Sequence, residues 1–142
     1  MLNNRLLFIV LTLFVISCNE VEITPNYEKF SSNIGELNYR ILYPKNFDQS
    51  KTYPLTLFLH GIGERGDDNE LQLKYIDKVF LNSQNYSDFP SVVIFPQAPL
   101  SDNWSSRILT DNEIRQVFQK DATPTNSLQL VIKLMDSLVK ED

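Results

Sequence analysis

Reactive side chains are scarce in this chain of 142 residues, which has one cysteine, Cys18, and one histidine, His60. A single cysteine excludes a disulfide bond within the chain, so cysteine usage does not indicate the redox compartment. Runs of basic residues interleaved with aromatics are also absent, and the formal net charge is −5. This charge pattern argues against nucleic acid as a partner.

Apolar residues are plentiful by comparison. Hydrophobic residues make up 42% of the chain, and nine Phe and six Tyr are among them. This composition is typical of a packed core rather than of a disordered chain. The length allows one ordinary domain.

The first residues predict a targeting signal. Arg5 precedes an apolar run from Leu6 to Ile16, which is short for a bilayer span and has the length of a signal-peptide core. The sequence VISC that follows resembles the lipobox of bacterial lipoproteins, so residues 1–17 are interpreted as a signal peptide and Cys18 as the lipidation site. The alternatives are a buried N-terminal strand or helix, and a cysteine that is simply buried.

The lipoprotein interpretation predicts a membrane as a partner. Acyl chains on Cys18 would anchor the protein, and residues 18–34 would form a tether that is polar in part. We therefore expect a membrane-anchored lipoprotein of the bacterial cell envelope, either periplasmic or surface-exposed.

Three segments have strand patterns. Period-two alternation predicts a strand over Glu36–Pro44. Nearly continuous apolar runs predict strands over Leu55–His60 and Ser91–Pro99 that are buried on both faces.

Two segments have helical patterns. A helix capped by Asp67 or Asp68 is predicted to extend to Phe80, and a longer amphipathic helix follows Pro124. Alternating strands and helices predict an α/β fold with parallel pairing. The apolar residues that define the two helical faces are Leu71, Tyr75, Ile76, Val79 and Phe80 in the first, and Leu128, Val131, Leu134, Met135 and Leu138 in the second.

Two stretches together resemble a known family. YPLTLFLHGIGERGDDNELQLK and FPSVVIFPQAP, followed by Trp104, resemble the N-terminal half of an α/β-hydrolase. The similarity extends over about Leu37 to Val139. It is to the secreted esterase and predicted peptidase group, which is related to feruloyl-esterase-like and polyhydroxybutyrate-depolymerase-like enzymes. The resemblance implies that residues 35–142 form the N-terminal part of a hydrolase domain, with an incomplete, mostly parallel sheet and flanking helices.

The resemblance gives the loop after His60 a chemical role. In such enzymes this loop donates one backbone N–H of the oxyanion hole, which implies Ile62 as the donor and Gly63 as the next candidate. Its glycines are expected to let the backbone turn sharply. The residues expected to support the loop are His60, Gly61, Glu64, Arg65 and Gly66.

Several roles within this region have alternatives. The resemblance implies that His60 supports the loop, because the catalytic histidine of these enzymes lies near the C-terminus; a general base is the alternative. Glu64 and Arg65 either pair and brace the loop or are solvated. Gln97 and Trp104 are interpreted as cleft residues, and Trp104 alternatively covers the sheet.

The acidic cluster after the loop raises the question of a metal. Asp67, Asp68 and Glu70 could indicate calcium, but a helix cap explains them with fewer assumptions. We expect no metal and no cofactor.

The nucleophile that such a site serves is missing from these residues. A nucleophile elbow has the pattern Gly-x-Ser-x-Gly, and none of the four glycines flanks a serine in that way. A second histidine for a triad is also missing. We therefore expect an N-terminal fragment of a lipid-anchored serine hydrolase, inactive alone, which acts on a small ester or peptide only if its C-terminal half is supplied. The alternatives are a degenerate, non-catalytic surface-anchored binding module and a structural lipoprotein without a ligand.

Overall fold

The computed structural model describes residues 23–76, 78–105, 108–110, 113–115 and 123–139. Four strands form the main sheet in the order β1-β2-β4-β3. Their bounds are Asn26–Ser32 for β1, Gly35–Leu42 for β2, Leu55–Leu57 for β3 and Val92–Gln97 for β4. Two short strands that pair with each other follow, β5 at Ile108–Thr110 and β6 at Glu113–Arg115.

The sheet is mixed rather than mostly parallel. β1 pairs with β2, and β2 with β4, in antiparallel fashion, whereas only β3 and β4 are parallel. The expectation of a mostly parallel sheet was wrong because β1 and β2 form a hairpin, which reverses the chain direction. Gly35 closes that hairpin with φ of +139°, a value that L side chains rarely adopt.

Part of the segment predicted as a tether lies inside this sheet. Residues 26–32 form β1, with Asn26 opposite Ile41 and Ser32 opposite Gly35. The described fold therefore includes residues on the N-terminal side of position 35. Residues 1–17 and Cys18 lie outside the described residues.

The alternation predicted over Glu36–Pro44 is confirmed in β2. Leu37, Tyr39 and Ile41 point to one face of β2 and are buried there. The long helix is also confirmed, as α2 at Asn126–Val139, and it covers that face. The buried residues of the cluster between sheet and helix are Leu37, Tyr39, Ile41, Ile94, Leu130, Val131 and Leu134. Within the described ranges, neither this helix nor the shorter one below is long and apolar enough to cross a membrane.

The strand predicted over Leu55–His60 is shorter and less buried than expected. Only Leu55–Leu57 form β3, each of these residues is half-buried, and Leu59 is 37% exposed. β3 lies at one end of the strand order, and β4 is its only partner among the described strands. Its apolar residues are therefore only half-buried, and the strand has one neighbour in the described sheet.

The parallel ladder between β3 and β4 stops at a proline. Phe58 N–H donates to the carbonyl of Ile94 at 2.9 Å, and in a regular parallel ladder the carbonyl of Phe58 would then accept from residue 96. Residue 96 is Pro96, which has no N–H to donate. The predicted strand over Ser91–Pro99 is confirmed as β4, which includes Pro96 and ends at Gln97.

The helix predicted from Asp67 to Phe80 is not present as such. The segment contains a single 3₁₀ turn at Leu71–Leu73 and further turns, and a short α-helix, α1, follows at Ser83–Asp88. Asn69 has φ of +54°, which is incompatible with a continuous right-handed helix. Of the predicted apolar face only Ile76 is deeply buried, at 1% exposure.

Candidate active site

A cleft of about 210 Å³ opens at the carboxyl ends of β3 and β4. The loop that follows β3 forms one wall, and the segment after β4 forms the other. The structure therefore brings most of the predicted loop together with Trp104. The lining residues are His60, Gly61, Ile62, Arg65, Asn103, Trp104 and Ser105.

The loop presents two backbone N–H groups that have no acceptor among the described residues. Ile62–Glu64 form a 3₁₀ turn in which Glu64 N–H donates to the carbonyl of Gly61 at 3.2 Å. Ile62 and Gly63 are the first two residues of this turn, so their N–H groups have no partner within it. Ile62 is 50% exposed. Ile62, which also lines the cleft, therefore has an N–H that is not used by an acceptor in the described part of the chain.

His60 replaces the backbone ladder that Pro96 interrupts. The N–H of Ala98 donates to Nε2 of His60 at 3.0 Å, and Nδ1 lies 2.6 Å from the carbonyl of Gly61. Since Nε2 accepts, the proton must sit on Nδ1, which then donates to Gly61. The carbonyl of His60 accepts from Nε1 of Trp104 at 3.0 Å. The histidine thus joins β4, the loop and the opposite wall of the cleft.

The environment of His60 keeps its ring neutral. Burial lowers the pKa of His60 below its ordinary value, and Arg65 adds to this effect, whereas the Gly61 carbonyl and the Glu64 carboxylate oppose it. Both ring nitrogens are already bound within the protein. A general base needs a free ring nitrogen near the nucleophile, so this arrangement is that of a positioning residue.

Arg65 braces the loop through backbone carbonyls. Its Nε donates to Ile62, and one terminal nitrogen donates to the carbonyls of Leu100 and Asp102 at 3.0 and 3.2 Å. An ion pair between Arg65 and Glu64 is not formed in the part of the chain that the structure describes. The brace therefore connects the loop with the segment after β4, and of the two alternatives considered for Glu64 and Arg65, their mutual pairing is not observed.

The loop glycines matter for space rather than for unusual backbone angles. Gly61 has φ of −75° and ψ of 175°, which any residue adopts, and Gly66 is not among the residues with positive φ. At Gly66 an added Cβ would lie 3.1 Å from Nε2 of Gln97. The expected sharp turn is thus not what these glycines provide, and Gly66 allows a close approach to a buried side chain.

Gln97 is that buried side chain, and it does not line the cleft. It is 2% exposed. Its Oε1 accepts the N–H of Asn69 at 2.6 Å, and its Nε2 donates to Asp68 at 2.7 Å and to the carbonyl of Glu64 at 3.3 Å. The prediction of a cleft residue was wrong because the side chain faces inward from the last position of β4, beneath the loop.

The polar network around Gln97 was not predicted from the sequence. Asn69 is fully buried; its side chain donates to the carbonyl of Tyr39 at 2.9 Å and accepts from Gln72. Gln72 Oε1 has no partner among the described residues. A buried network of amides fixes the chain after the loop, and the only signal for it was the density of amide side chains near the acidic cluster.

Asp68, in the acidic cluster, is part of this hydrogen-bond network. Oδ1 of Asp68 accepts the N–H groups of Glu70 and Leu71 and the amide of Gln97. These hydrogen bonds lower the pKa of Asp68, with the Glu70 N–H contributing most. Asp68 therefore caps a 3₁₀ turn, and Glu70 pairs with Arg40 at 3.4 Å instead of completing a capping box. The described ranges hold no cluster of three or more His, Cys, Asp or Glu that could bind a metal ion.

Trp104 fills both roles considered for it. It lines the cleft and packs against the core cluster beneath α2. Its ring meets that of His60 edge-on, with centroids 5.0 Å apart. Asp102 and Thr125 then tie this wall to α2, because Asp102 Oδ2 accepts from Ser127 N–H at 2.8 Å and Thr125 Oγ1 accepts from Leu128 N–H at 3.2 Å.

The structure can be compared with a solved thermostable esterase. The match has a TM-score of 0.66 and 30% sequence identity, and it covers 82% of this chain but 30% of the esterase chain. The described residues therefore form part of an α/β-hydrolase fold, as an incomplete sheet with flanking helices.

The curated relatives are peptidases. The chain is 38% identical over 82 residues to the probable dipeptidyl-peptidase 5 of Aspergillus niger, and 45% identical over 38 residues to the dipeptidyl-peptidase 5 of Aspergillus fumigatus. These matches cover 58% and 27% of this chain, but only 10% and 5% of the two relatives. No protein-family model matches the chain.

We predict that Gln97→Met destabilises the protein. The substitution keeps the length of the side chain but leaves the buried N–H of Asn69 without its acceptor, which costs about 1–3 kcal/mol. The midpoint of urea denaturation should fall accordingly, with an unchanged slope. The exposed Gln49 is the matched control, since Gln49→Met should change stability by no more than about 0.5 kcal/mol. Equal shifts for both variants would contradict the role of Gln97.

We also predict that His60 makes stability depend on pH. Its pKa is lower in the folded state than in the unfolded chain, so below about pH 6.5 the unfolded chain binds more protons and stability falls until the folded pKa is passed. The melting temperature should therefore decrease between about pH 7.5 and 5.5, above the range in which carboxylates titrate. His60→Gln can still donate and accept without titrating, so its melting temperature should change less over this range. The same pH dependence in both proteins would refute the assignment.

Proposed function

We propose that this chain supplies the oxyanion-hole side of a serine hydrolase that acts on carboxylic esters or peptides. The observation that carries the proposal is that the N–H groups of Ile62 and Gly63 have no acceptor among the described residues and that Ile62 lines the cleft. Esterase and dipeptidyl-peptidase relatives support the reaction class. The nucleophile and its base would come from polypeptide outside these 142 residues, because the sequence has neither Gly-x-Ser-x-Gly nor a second histidine.

The geometry suits stabilisation of a tetrahedral intermediate. Its negative oxygen is best stabilised by donors that are already fixed before the reaction, because no reorganisation is then needed. Arg65 holds the loop through the carbonyl of Ile62, and Gln97 holds it through the carbonyl of Glu64. The donors are thus held at both ends of the turn that carries them.

Two further parts of the proposal concern the attachment of the protein to a membrane and the group of hydrolases that it resembles. Lipid on Cys18 would place the protein at a membrane of the bacterial cell envelope, on the periplasmic side or on the cell surface. The loop pattern is that of the secreted esterase and predicted peptidase group. Without a nucleophile the chain would not hydrolyse esters, because donors alone give only residual catalysis.

A chimeric enzyme tests the role of Ile62. Residues 23–139 would replace the matched part of the thermostable esterase, so that the remainder of that enzyme supplies the nucleophile. We predict that Ile62→Pro in this chimera lowers kcat by about 10²–10³, which is typical for loss of one oxyanion donor. Proline fits here because Ile62 opens the 3₁₀ turn and Gly61 is extended.

The control for this experiment is Ile62→Val, which keeps the N–H and should retain the activity of the chimera. The unfused chain should neither hydrolyse an activated ester nor react with a fluorophosphonate probe for active serines. An active Ile62→Pro chimera would exclude this donor. Labelling of the unfused chain would overturn the proposal that its nucleophile lies elsewhere.

A separate prediction tests the anchor. The chain produced in a bacterial host should fractionate with membranes and carry the mass of a lipid on Cys18, because a signal core and a small residue precede it. Cys18→Ser should release the protein or leave the uncleaved precursor, whereas Ser17→Ala keeps a small residue and should still be lipidated. A Cys18→Ser variant with an unchanged membrane fraction and an unchanged mass would refute lipidation.

A further inference from the structure

We infer that the end of the sheet opposite the cleft rests against the lipid surface and that the cleft opens away from it. We call this end the anchor end; it comprises Ile23, the loop 43–53 and the last turn of α2. The inference rests on the proposed lipid at Cys18 and adds an interaction surface and an orientation to it.

The first step is the position at which the chain enters the fold. β1 begins with Asn26 opposite Ile41, and Ile23 packs against the cluster that contains Leu42 and Val93. Val93 lies near the start of β4, whereas the cleft lies beyond its end, at Ala98. Five residues of β4 separate these two levels, a distance of about 17 Å along the strand. The chain therefore enters at the end of the sheet that is remote from the cleft.

The second step is the reach of the chain between the lipid and the fold. Cys18 and Ile23 are five residues apart, and five fully extended residues span at most about 18 Å. Ile23 therefore lies within about 18 Å of the lipid, and its level is separated from that of the cleft by about 17 Å along β4. The short connection keeps the end at which the chain enters the fold close to the membrane, so we take the anchor end, rather than the cleft, to face the lipid.

The third step is the character of the anchor end. Phe47 is 38% exposed, and its ring lies 4.5 Å from that of Tyr43 and 5.3 Å from that of Tyr53. Aromatic rings with a polar end are favoured at the boundary between lipid and water. Two exposed lysines, Lys45 and Lys51, flank this group; Lys51 pairs with Asp48 at 3.7 Å, and the loop keeps an excess positive charge that suits the headgroups of anionic lipids. A groove of about 600 Å³ lies beside these rings and is closed on one side by the last turn of α2.

The orientation narrows the substrates of the proposed hydrolase. The cleft would lie at least about 17 Å above the level at which the chain enters, on the side of the solvent. Acyl esters of the anchoring leaflet would not reach it. Water-soluble esters or peptides, or groups presented by an opposing surface, are the substrates that this placement admits.

Site-specific fluorescence on the full-length lipidated protein tests the orientation. Lipidation consumes the thiol of the single cysteine, so an added cysteine can be labelled alone. Gln49→Cys places a fluorophore at the anchor end, and Leu100→Cys places one near the cleft; both side chains are exposed. The labelled proteins are reconstituted into vesicles of phosphatidylcholine and phosphatidylglycerol that contain a lipid with a nitroxide on its headgroup. We expect the label at position 49 to lose most of its fluorescence and the label at position 100 to lose little.

A second pair, Lys45→Cys and Ser101→Cys, repeats the comparison at other exposed positions. Emission from the single Trp104 reports whether each variant is folded. Equal quenching at the two ends, stronger quenching near the cleft, or none at either end of a vesicle-bound protein would overturn the inference. If the protein stays in the supernatant instead of binding to the vesicles, the inference fails because its premise, the lipid on Cys18, fails. The mass of the protein shows whether Cys18 carries a lipid, and this result does not bear on the oxyanion-hole loop.

Discussion

The candidate site depends on the hydrogen bond between the N–H of Ala98 and the ring of His60. Pro96 removes the backbone donor that would have continued the ladder between β3 and β4, so the two strands stop pairing where the cleft begins. The imidazole then restores the connection one residue pair further on. Because a side chain replaces the backbone hydrogen bond here, the chain after β3 can leave the sheet and form the loop. If the two strands continued to pair, they would occupy the space that the loop and the cleft now take.

The neutral state of His60 is part of the same constraint. Only an unprotonated Nε2 can accept from Ala98, and only the tautomer with a proton on Nδ1 can donate to Gly61. Burial selects this state by lowering the pKa of the ring. Trp104 donates a hydrogen bond to the carbonyl of the same residue and lines the opposite wall of the cleft. One residue therefore determines how the strand, the loop and the opposite wall are placed.

Hydrophobic periodicity predicted the elements that bury one face and expose the other. β2 alternates because one face meets α2, and α2 is amphipathic because one side meets the sheet. The helix predicted after Asp67 failed because periodicity does not register a left-handed residue such as Asn69, whose side chain is used by the amide network. Burial of the strand before His60 was overestimated because an apolar run does not reveal how completely other elements cover the faces of a strand.

In the site, the loop residues were predicted and their partners were not. A short motif such as His-Gly-Ile-Gly specifies the loop by neighbouring positions, whereas Gln97 and Arg65 act on it through contacts about 30 to 40 residues away in sequence. Such long-range hydrogen bonds leave no spacing pattern in a single sequence. The assignment of Gln97 to the cleft failed for this reason, since a position at the end of β4 does not show to which side its amide turns.

Among the described strands β3 pairs only with β4, and its other edge has a consequence for how the proposed enzyme would be assembled. The N–H and C=O groups along it require a strand of suitable direction and length, and they do not distinguish a strand of the same chain from one of another chain. The sheet therefore does not require that the strand beside β3 belong to the same polypeptide. If the proposed hydrolase were divided at this position, two separately synthesised polypeptides would be able to complete the sheet together.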